Sequence, residues 1–205
     1  MKVLISSPRT GSTCFYQHIQ DYNLTLPNVK TTGVDEFLNP DLYTHLTLDA
    51  KINWLIDEKT RGIEYTFKHH INYLTRNVDY YETWFKDFYK LDEVIVLKRK
   101  NTWKWFLSFL FQDFVGWKHA AIVKDDDNDK VLNNIKSNWV DYNYEQSLKQ
   151  FFEIKSQLDK VKGTIIFYED LNLPYSDYKK LSNIVDYESF FPNLDIIRSE
   201  FLKYD

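Results

Sequence analysis

Cysteine is nearly absent from this chain of 205 residues, which has only Cys14. A single cysteine excludes an intrachain disulfide and a cysteine-rich zinc site, and we expect it to be a small apolar residue on the buried face of a helix. Glycine and proline are also scarce, with five of each, so low-complexity linkers are absent. Aromatic residues make up 18% of the chain, which is ample material for a core without disulfides or metals.

Long apolar runs and an excess of positive charge are missing as well. No run approaches the ~20 residues of a membrane-spanning helix, and the apolar start at residues 1–5 reaches polar residues too soon for a signal peptide. We therefore expect a soluble, cytoplasmic protein. The net charge of −4 argues against a general nucleic-acid binder, which neutralises many phosphates with a basic face. The cations that matter are therefore expected to be local to one site.

Short apolar runs alternate with helical periodicity along the chain. This alternation predicts one α/β domain over residues 1–205, with a central parallel sheet flanked by helices in three layers and ligands at the carboxyl ends of its strands. The predicted strands cover residues 2–6, 63–68, 93–98 and 164–167. The predicted helices cover residues 12–22, 44–59, 102–114 and 130–160, the last with a break near Tyr144. An irregular stretch is expected up to Tyr43, and an exposed loop over Gly116 to Asp129.

The segment at residues 5–13 reads I-S-S-P-R-T-G-S-T and follows the apolar run Val3 to Ile5. It predicts a buried strand, a tight loop and the first turn of a helix, where backbone N–H groups and hydroxyls bind phosphate or sulfate. It is not the usual nucleotide loop G-x-x-x-x-G-K-[ST], because it has one glycine and its cation, Arg9, precedes that glycine. The segment predicts an anion site.

The order P-R-T-G-S-T resembles P-[KR]-[ST]-G-[ST]-[ST], the 5′-phosphosulfate loop of sulfotransferases that use 3′-phosphoadenosine 5′-phosphosulfate (PAPS). The resemblance implies a P-loop-like fold and a metal-independent enzyme that leaves 3′-phosphoadenosine 5′-phosphate as product. Arg9 would then act in catalysis by holding the 5′-phosphate and the bridging oxygen. The loop residues that the resemblance assigns to cofactor binding are Pro8, Arg9, Thr10, Gly11, Ser12 and Thr13.

Two further segments resemble the same family. The run E-V-I-V-L-K-R-K-N at residues 93–101 matches a strand that ends in an arginine, with a serine about two helical turns later, and the pair binds the 3′-phosphate. Here these residues are Arg99 and Ser108, although Lys98 and Lys100 leave the register open by one residue. The string Y-E-D-L at residues 168–171, after the last strand, resembles a segment whose role in the family is mostly architectural.

The acceptor hydroxyl also needs a base, and the sequence leaves three candidates. Residues 33–40, G-V-D-E-F-L-N-P, resemble the G-x-x-E-[FY]-[FL]-[NH]-P segment of bacterial carbohydrate sulfotransferases, in which the glutamate faces the acceptor. That residue is Glu36. His69 and His70 follow Lys68 at the end of a predicted strand, where cytosolic members of the family bring a histidine base. We rank both histidines below Glu36.

The resemblance implies sulfuryl transfer from PAPS to a hydroxyl of a carbohydrate, glycolipid or other small metabolite. Two other classes stay open: a phosphate-loop small-molecule kinase, which lacks its usual lysine here, and a non-catalytic nucleotide-binding relative. The basic R-K-G segment that many cytosolic members use on the 3′-phosphate has no counterpart in the tail at residues 195–205. The acceptor, the aromatic residue that stacks on adenine and the oligomeric state are left open.

Overall fold

A computed structural model describes residues 2–7, 10, 29–31, 45–71, 93–115, 139, 142–171, 188 and 191–205. The chain groups into two compact units. The sheet unit comprises residues 1–100 and 154–173, and the helical unit comprises residues 101–153 and 174–205. The single domain expected over residues 1–205 stays a prediction. The two units are described separately below.

The sheet unit is built on five parallel strands in the order β2-β3-β1-β4-β5. A parallel sheet with helices confirms the predicted α/β class. The strands are β1 (Lys2–Ser6), β2 (Val29–Thr31), β3 (Glu64–His70), β4 (Glu93–Lys98) and β5 (Thr164–Phe167). The bounds of β1, β4 and β5 are those predicted from the sequence. Their short, largely β-branched apolar runs are typical of strands buried on both faces of a parallel sheet.

Two strand predictions were wrong in part. The strand predicted to end at Lys68 continues to His70, because β3 pairs with β1 up to the partners Ser6 and His70. The stretch predicted to be irregular contains β2, which pairs with the first residues of β3.

At the other lateral edge of the sheet, Gly163 precedes β5 and approaches β4 so closely that a Cβ atom would lie 2.4 Å from the carbonyl oxygen of Val94.

The helices in the described ranges are α1 (Leu48–Thr60), α2 (Thr102–Val115), α3 (Tyr144–Lys160) and α4 (Leu194–Phe201). Helix α1 starts later than predicted because Thr47 caps it, with its hydroxyl accepting a hydrogen bond from the backbone N–H of Ala50 at 3.1 Å. Gly62 then follows the helix with a φ of +76°. Helix α3 begins at the predicted break. The helix predicted over 12–22 and the loop predicted over 116–129 lie outside the described residues.

Aromatic side chains form the core of the helical unit. The rings of Phe106 and Phe151 lie 5.2 Å apart, and those of Phe106 and Phe201 lie 5.3 Å apart. Trp105 packs edge-on against Phe151 at 4.7 Å. These contacts agree with the expectation that aromatic residues supply the material of a core. None of the helices in the described ranges is long and apolar enough to cross a membrane.

Candidate functional site

The order in which the strands are added to the sheet reverses between β1 and β4. After β1 the chain forms β2 and β3, which lie towards one lateral edge of the sheet, and after β4 it forms β5, which lies at the other lateral edge. In open parallel sheets, ligands bind outside the carboxyl ends of the strands at such a reversal. Because β1 and β4 are hydrogen-bonded neighbours, the segments after Ser6 and after Lys98 start side by side. The carboxyl end of the sheet at β1 and β4 is the candidate site.

A tight turn follows β1 at this end of the sheet. The hydroxyl of Thr10 donates a hydrogen bond to the carbonyl oxygen of Ser7 at 2.8 Å, and the Thr10 backbone N–H approaches the same oxygen at 3.4 Å. Ser6, Ser7 and Thr10 are all buried. The Thr10 hydroxyl therefore donates its hydrogen bond within the turn. The buried hydroxyl of Ser6 makes no hydrogen bond within the part of the chain that the structure describes.

Three consecutive cations end β4, and each faces a carboxylate of the sheet unit. Lys98 donates a hydrogen bond from Nζ to Oδ1 of Asp159 on α3 at 2.8 Å. Lys100 contacts Asp170 through Nζ at 2.5 Å. Arg99 lies between these two pairs in sequence, with its Nη1 atom 3.7 Å from Oε1 of Glu169. The structure thus gives the three cations distinct environments, which the sequence could not do.

Arg99 also stacks on an aromatic ring. Its guanidinium carbon lies 4.1 Å from the centre of the Tyr168 ring, within the range of a cation–π contact. The next residue, Glu169, accepts a 2.9 Å hydrogen bond through Oε2 from the backbone N–H of Lys100. Tyr168, Glu169 and Asp170 form a single turn of 3-10 helix directly after β5. We call this turn the Tyr168 turn. Through these contacts the Tyr168 turn, which follows β5, binds the basic residues that follow the neighbouring strand β4.

Tyr168 shows which face of the sheet Arg99 occupies. The tyrosine packs against a cluster formed by Leu4 of β1 and Leu97 of β4. We call the side of the sheet that carries this cluster the Leu4 face. Because side chains alternate between faces along a strand, Ser6 lies on the Leu4 face and Lys98 on the opposite one. Arg99, stacked on Tyr168, therefore belongs to the Leu4 face.

The two candidate histidines lie on opposite faces of the sheet. In the register between β1 and β3, Lys68 faces Leu4, His69 faces Ile5 and His70 faces Ser6. Lys68 and His70 therefore share the Leu4 face with Arg99, whereas His69 points to the other side. All three side chains are buried. A ligand on the Leu4 face could approach His70 and could not reach His69 as well.

Burial keeps both imidazoles neutral. It lowers the pKa of His69 from 6.5 to about 3, with a further contribution from the positive charge of Lys51, which is itself buried on α1. The pKa of His70 also falls well below 6.5, first because of burial and then because of the charge of Lys68 and the proximity of His69. A neutral imidazole can accept a hydrogen bond, but a base with such a low pKa removes a proton poorly at neutral pH.

The predicted site residues are distributed unevenly over the described regions. Thr10, His69, His70 and Arg99 belong to the sheet unit, while Ser108 is a buried residue of α2 in the helical unit. The remaining predicted site residues, which are Pro8, Arg9, Gly11, Ser12, Thr13 and Glu36, lie outside the described residues. The structure thus places Arg99, His70 and the end of β1 on the same face of the sheet and at the carboxyl end of its strands.

Sequence reasoning missed Lys68 as a site residue and gave the Tyr168 turn only an architectural role. The alternation K-H-H at the end of a strand is the signal for Lys68, because it places the lysine and the second histidine on one face. No local signal reports the contact between Glu169 and Lys100, which are 69 residues apart. No group of three or more potential metal-ligating side chains occurs in the described ranges.

Cations and hydroxyls at the reversal point suit an anionic ligand, which charge-assisted hydrogen bonds to a guanidinium would hold in a defined orientation. The chain matches no family model, no curated protein and no solved structure.

Proposed function

We propose that this chain is a PAPS-dependent sulfotransferase with a P-loop-like fold. The single observation that carries the proposal is the parallel pairing of β1 with β4, because the P-R-T-G-S-T segment and Arg99 follow the carboxyl ends of these two strands. A ligand with phosphates at both ends of one nucleoside requires two anion-binding elements at neighbouring strand ends. The resemblance of the second and third segments to the same family supports the same reading.

Contacts at the end of β4 support Arg99 as the residue that binds the 3′-phosphate. Lys98 points to the opposite face and is held by Asp159, while Lys100 is paired with Asp170 in a contact that is about half exposed. Arg99 is the cation of the three on the face shared with Ser6 and His70. Its planar guanidinium suits bidentate binding of a phosphate. Ser108 is its proposed partner on the same phosphate.

The proposed cofactor supplies a sulfuryl group on a phosphate leaving group. Arg9 would stabilise charge on the departing phosphate oxygen, and Gly11, Ser12 and Thr13 would donate backbone N–H groups and hydroxyls to the 5′-phosphate. Thr10, whose hydroxyl and backbone N–H both bond to Ser7, would instead hold the turn of this loop. As the acceptor oxygen bonds to sulfur, its proton passes to a base and the sulfur–oxygen bond to phosphate breaks. Positioning and electrostatic stabilisation are the protein's main tasks in such a transfer.

Glu36 is the proposed base, because the low pKa values of both histidines make them weak bases. His70 is the better placed of the two, since it shares the Leu4 face with Arg99. We assign it the role of a neutral hydrogen-bond acceptor near the acceptor hydroxyl. Lys68, on the same face, would add positive charge where negative charge develops. His69 would serve packing against α1, on the side of Lys51.

The test is calorimetric titration with 3′-phosphoadenosine 5′-phosphate in the absence of metal, beside ATP with Mg²⁺. Wild type should bind the bisphosphate, and Arg99→Ala should weaken binding at least tenfold because a charge-assisted contact contributes ~1.5–3 kcal/mol. The matched control is Arg61→Ala. Arg61 is an exposed arginine that follows α1 and precedes β3, so it lies near the amino end of that strand. Binding of ATP alone would favour a kinase, and binding of neither would overturn the proposal.

Catalysis is tested separately with labelled PAPS and a panel of sugar and small-metabolite hydroxyls. Wild type should transfer label to at least one acceptor, and Glu36→Gln should lose transfer while it retains bisphosphate binding. Bisphosphate binding without transfer to any acceptor would favour the non-catalytic relative. Equal transfer rates in Glu36→Gln and wild type would contradict the role of Glu36.

A further inference from the structure

The geometry points to Glu169 as the residue that sets how tightly the Arg99 site holds a phosphate. This inference rests on the proposed function, because it concerns the 3′-phosphate of the same ligand. Glu169 has two separate contacts: Oε2 accepts the Lys100 backbone N–H at 2.9 Å, and Oε1 lies 3.7 Å from Nη1 of Arg99. The first contact is structural, and the second is electrostatic.

The contact with Lys100 fixes the carboxylate in place. It joins the turn after β5 to the first residues after β4, where the chain leaves the sheet, and so determines the backbone conformation beside Arg99. If the Glu169 carboxylate moved away to make room for a ligand, this backbone N–H would lose its acceptor. We therefore treat the Glu169 carboxylate as fixed in position beside the site.

The contact with Arg99 is too long for a hydrogen bond but short enough for a strong effect of charge. At 3.7 Å the two charged groups attract each other without the short distance of a hydrogen bond. Both side chains are about one-quarter to one-third exposed, so water screens their attraction only in part. The carboxylate thus reduces the positive potential that an incoming phosphate experiences.

Two effects of opposite sign follow for one residue. The hydrogen bond to Lys100 positions Arg99 and favours binding, whereas the negative charge repels the phosphate and disfavours it. A glutamine keeps the acceptor oxygen and removes the charge, and an alanine removes both. Glu169→Gln should therefore tighten phosphate binding, and Glu169→Ala should weaken binding relative to the glutamine variant. A residue with a purely structural role would not produce this split.

The experiment measures dissociation constants and dissociation rates of two ligands at low salt: 3′-phosphoadenosine 5′-phosphate and adenosine 5′-monophosphate, which lacks the 3′-phosphate. Glu169→Gln should bind the bisphosphate about three- to fivefold more tightly than wild type and release it correspondingly more slowly, as expected for one partly screened charge. The monophosphate should change by less than about twofold. In 0.5 M salt the gain should shrink, because ions screen the carboxylate.

Asp170→Asn is the matched control, since it removes the same charge from the next residue, which pairs with the half-exposed side chain of Lys100. Its effect on the bisphosphate should stay within about twofold. Weaker bisphosphate binding in Glu169→Gln, or an equal gain for both ligands, would overturn the inference while the proposed function stood. If wild type failed to bind the bisphosphate at all, both would fall.

Discussion

The backbone N–H of Lys100 donates a 2.9 Å hydrogen bond to the carboxylate of Glu169, a residue 69 positions later in the chain. This bond ties the end of β4 to the turn that follows β5. It connects two segments that the sequence analysis treated as separate signals, the basic run at 98–100 and the string Y-E-D-L. Their contact turns two short resemblances into one local structure around Arg99. The first of four predictions follows from this local structure, and the other three follow from contacts elsewhere in the described residues.

The ring of Tyr168 should contribute to ligand binding through Arg99. Tyr168→Leu removes the aromatic face 4.1 Å from the guanidinium, whereas Tyr168→Phe keeps it. We expect the leucine variant to bind 3′-phosphoadenosine 5′-phosphate about two- to fivefold more weakly, as a cation–π contact of ~0.5–1 kcal/mol would give. The phenylalanine variant should match wild type in calorimetry. Equal losses in both variants would show that the tyrosine hydroxyl, and not the ring face, matters.

Lys98 should contribute to stability and not to ligand binding. Burial by itself raises the pKa of Asp159, but the hydrogen bond and charge of Lys98, with the charge of Lys155, bring it below its usual value overall. A carboxylate with a lowered pKa stabilises the fold above its unfolded pKa, and this contribution is lost as the pH falls through the folded pKa.

Lys98→Met should therefore lower the free energy of unfolding at pH 7 by up to about 1 kcal/mol in urea denaturation, since the pair is partly exposed. Its affinity for the bisphosphate should equal that of wild type. A loss of affinity as large as that of Arg99→Ala would shift the phosphate contact from Arg99 to Lys98 and contradict the assignment by faces.

His69 should make the protein sensitive to acid. Its pKa is lowered from 6.5 to about 3, so the unfolded chain binds a proton that the folded chain refuses between these two values. The contribution of His69 to stability is therefore constant above about pH 6.5 and falls as the pH drops towards 3, by at most about 1.4 kcal/mol per pH unit.

The measurement is urea denaturation at several pH values between 7.5 and 4.5, on wild type and His69→Gln. The glutamine variant should be less stable at pH 7, because a buried ring is lost, but its stability should fall less steeply with acidification. His45, which is exposed at the start of the segment before α1, provides the control substitution His45→Gln. Identical slopes for wild type and His69→Gln would refute the neutral buried imidazole.

Tyr142 should stay protonated in the folded protein well beyond the usual pH of tyrosine ionisation. Its hydroxyl lies 2.7 Å from Oδ2 of Asp113 and 2.6 Å from Oγ of Ser147, which contacts the same carboxylate. Burial is the main cause that raises the pKa of Tyr142; the hydrogen bond to Ser147 opposes this rise, and the hydrogen bond to Asp113 and its negative charge add to it.

An ultraviolet titration that compares wild type with Tyr142→Phe should show that the variant lacks one tyrosine that ionises well above the usual pH. The phenylalanine variant should lose about 1 kcal/mol of stability, as the loss of one partly exposed hydrogen bond would predict, since Ser147 still contacts Asp113. Ser147→Ala also removes one hydrogen-bond partner of the Asp113 carboxylate, so its loss of stability provides a comparison. Ionisation of Tyr142 at its ordinary pH would contradict this account.

The sequence predicted the strands better than the contacts around them. The runs that became β1, β4 and β5 are short, apolar and bounded by polar residues, so their limits are local properties. The end of β3 was misplaced because Lys68, His69 and His70 are polar, and only the pairing with β1 keeps them in the sheet. The three residues of β2 carry too little apolar periodicity to be recognised.

The candidate site was predictable as a set of residues and not as an arrangement. Strand ends marked Arg99 and the histidines, and the alternation of side chains then decides which of them share a face. The partners of the three cations after β4 could not be read from the sequence, because Asp159, Glu169 and Asp170 lie 60 to 70 residues away and neighbouring acidic residues look alike. Contacts at that separation depend on the register of β4 with β5.

The position of β1 in the sheet has a consequence for how the chain acquires its structure. Residues 2–6 are synthesised before both of their hydrogen-bonded neighbours, β3 and β4, which follow about 60 and 90 residues later in the chain. The apolar segment Val3-Leu4-Ile5 must therefore wait unpaired until most of the sheet unit exists. Pairings of such large sequence separation slow folding and leave apolar strands exposed during that interval, so β1 is a segment to which a chaperone would be expected to bind.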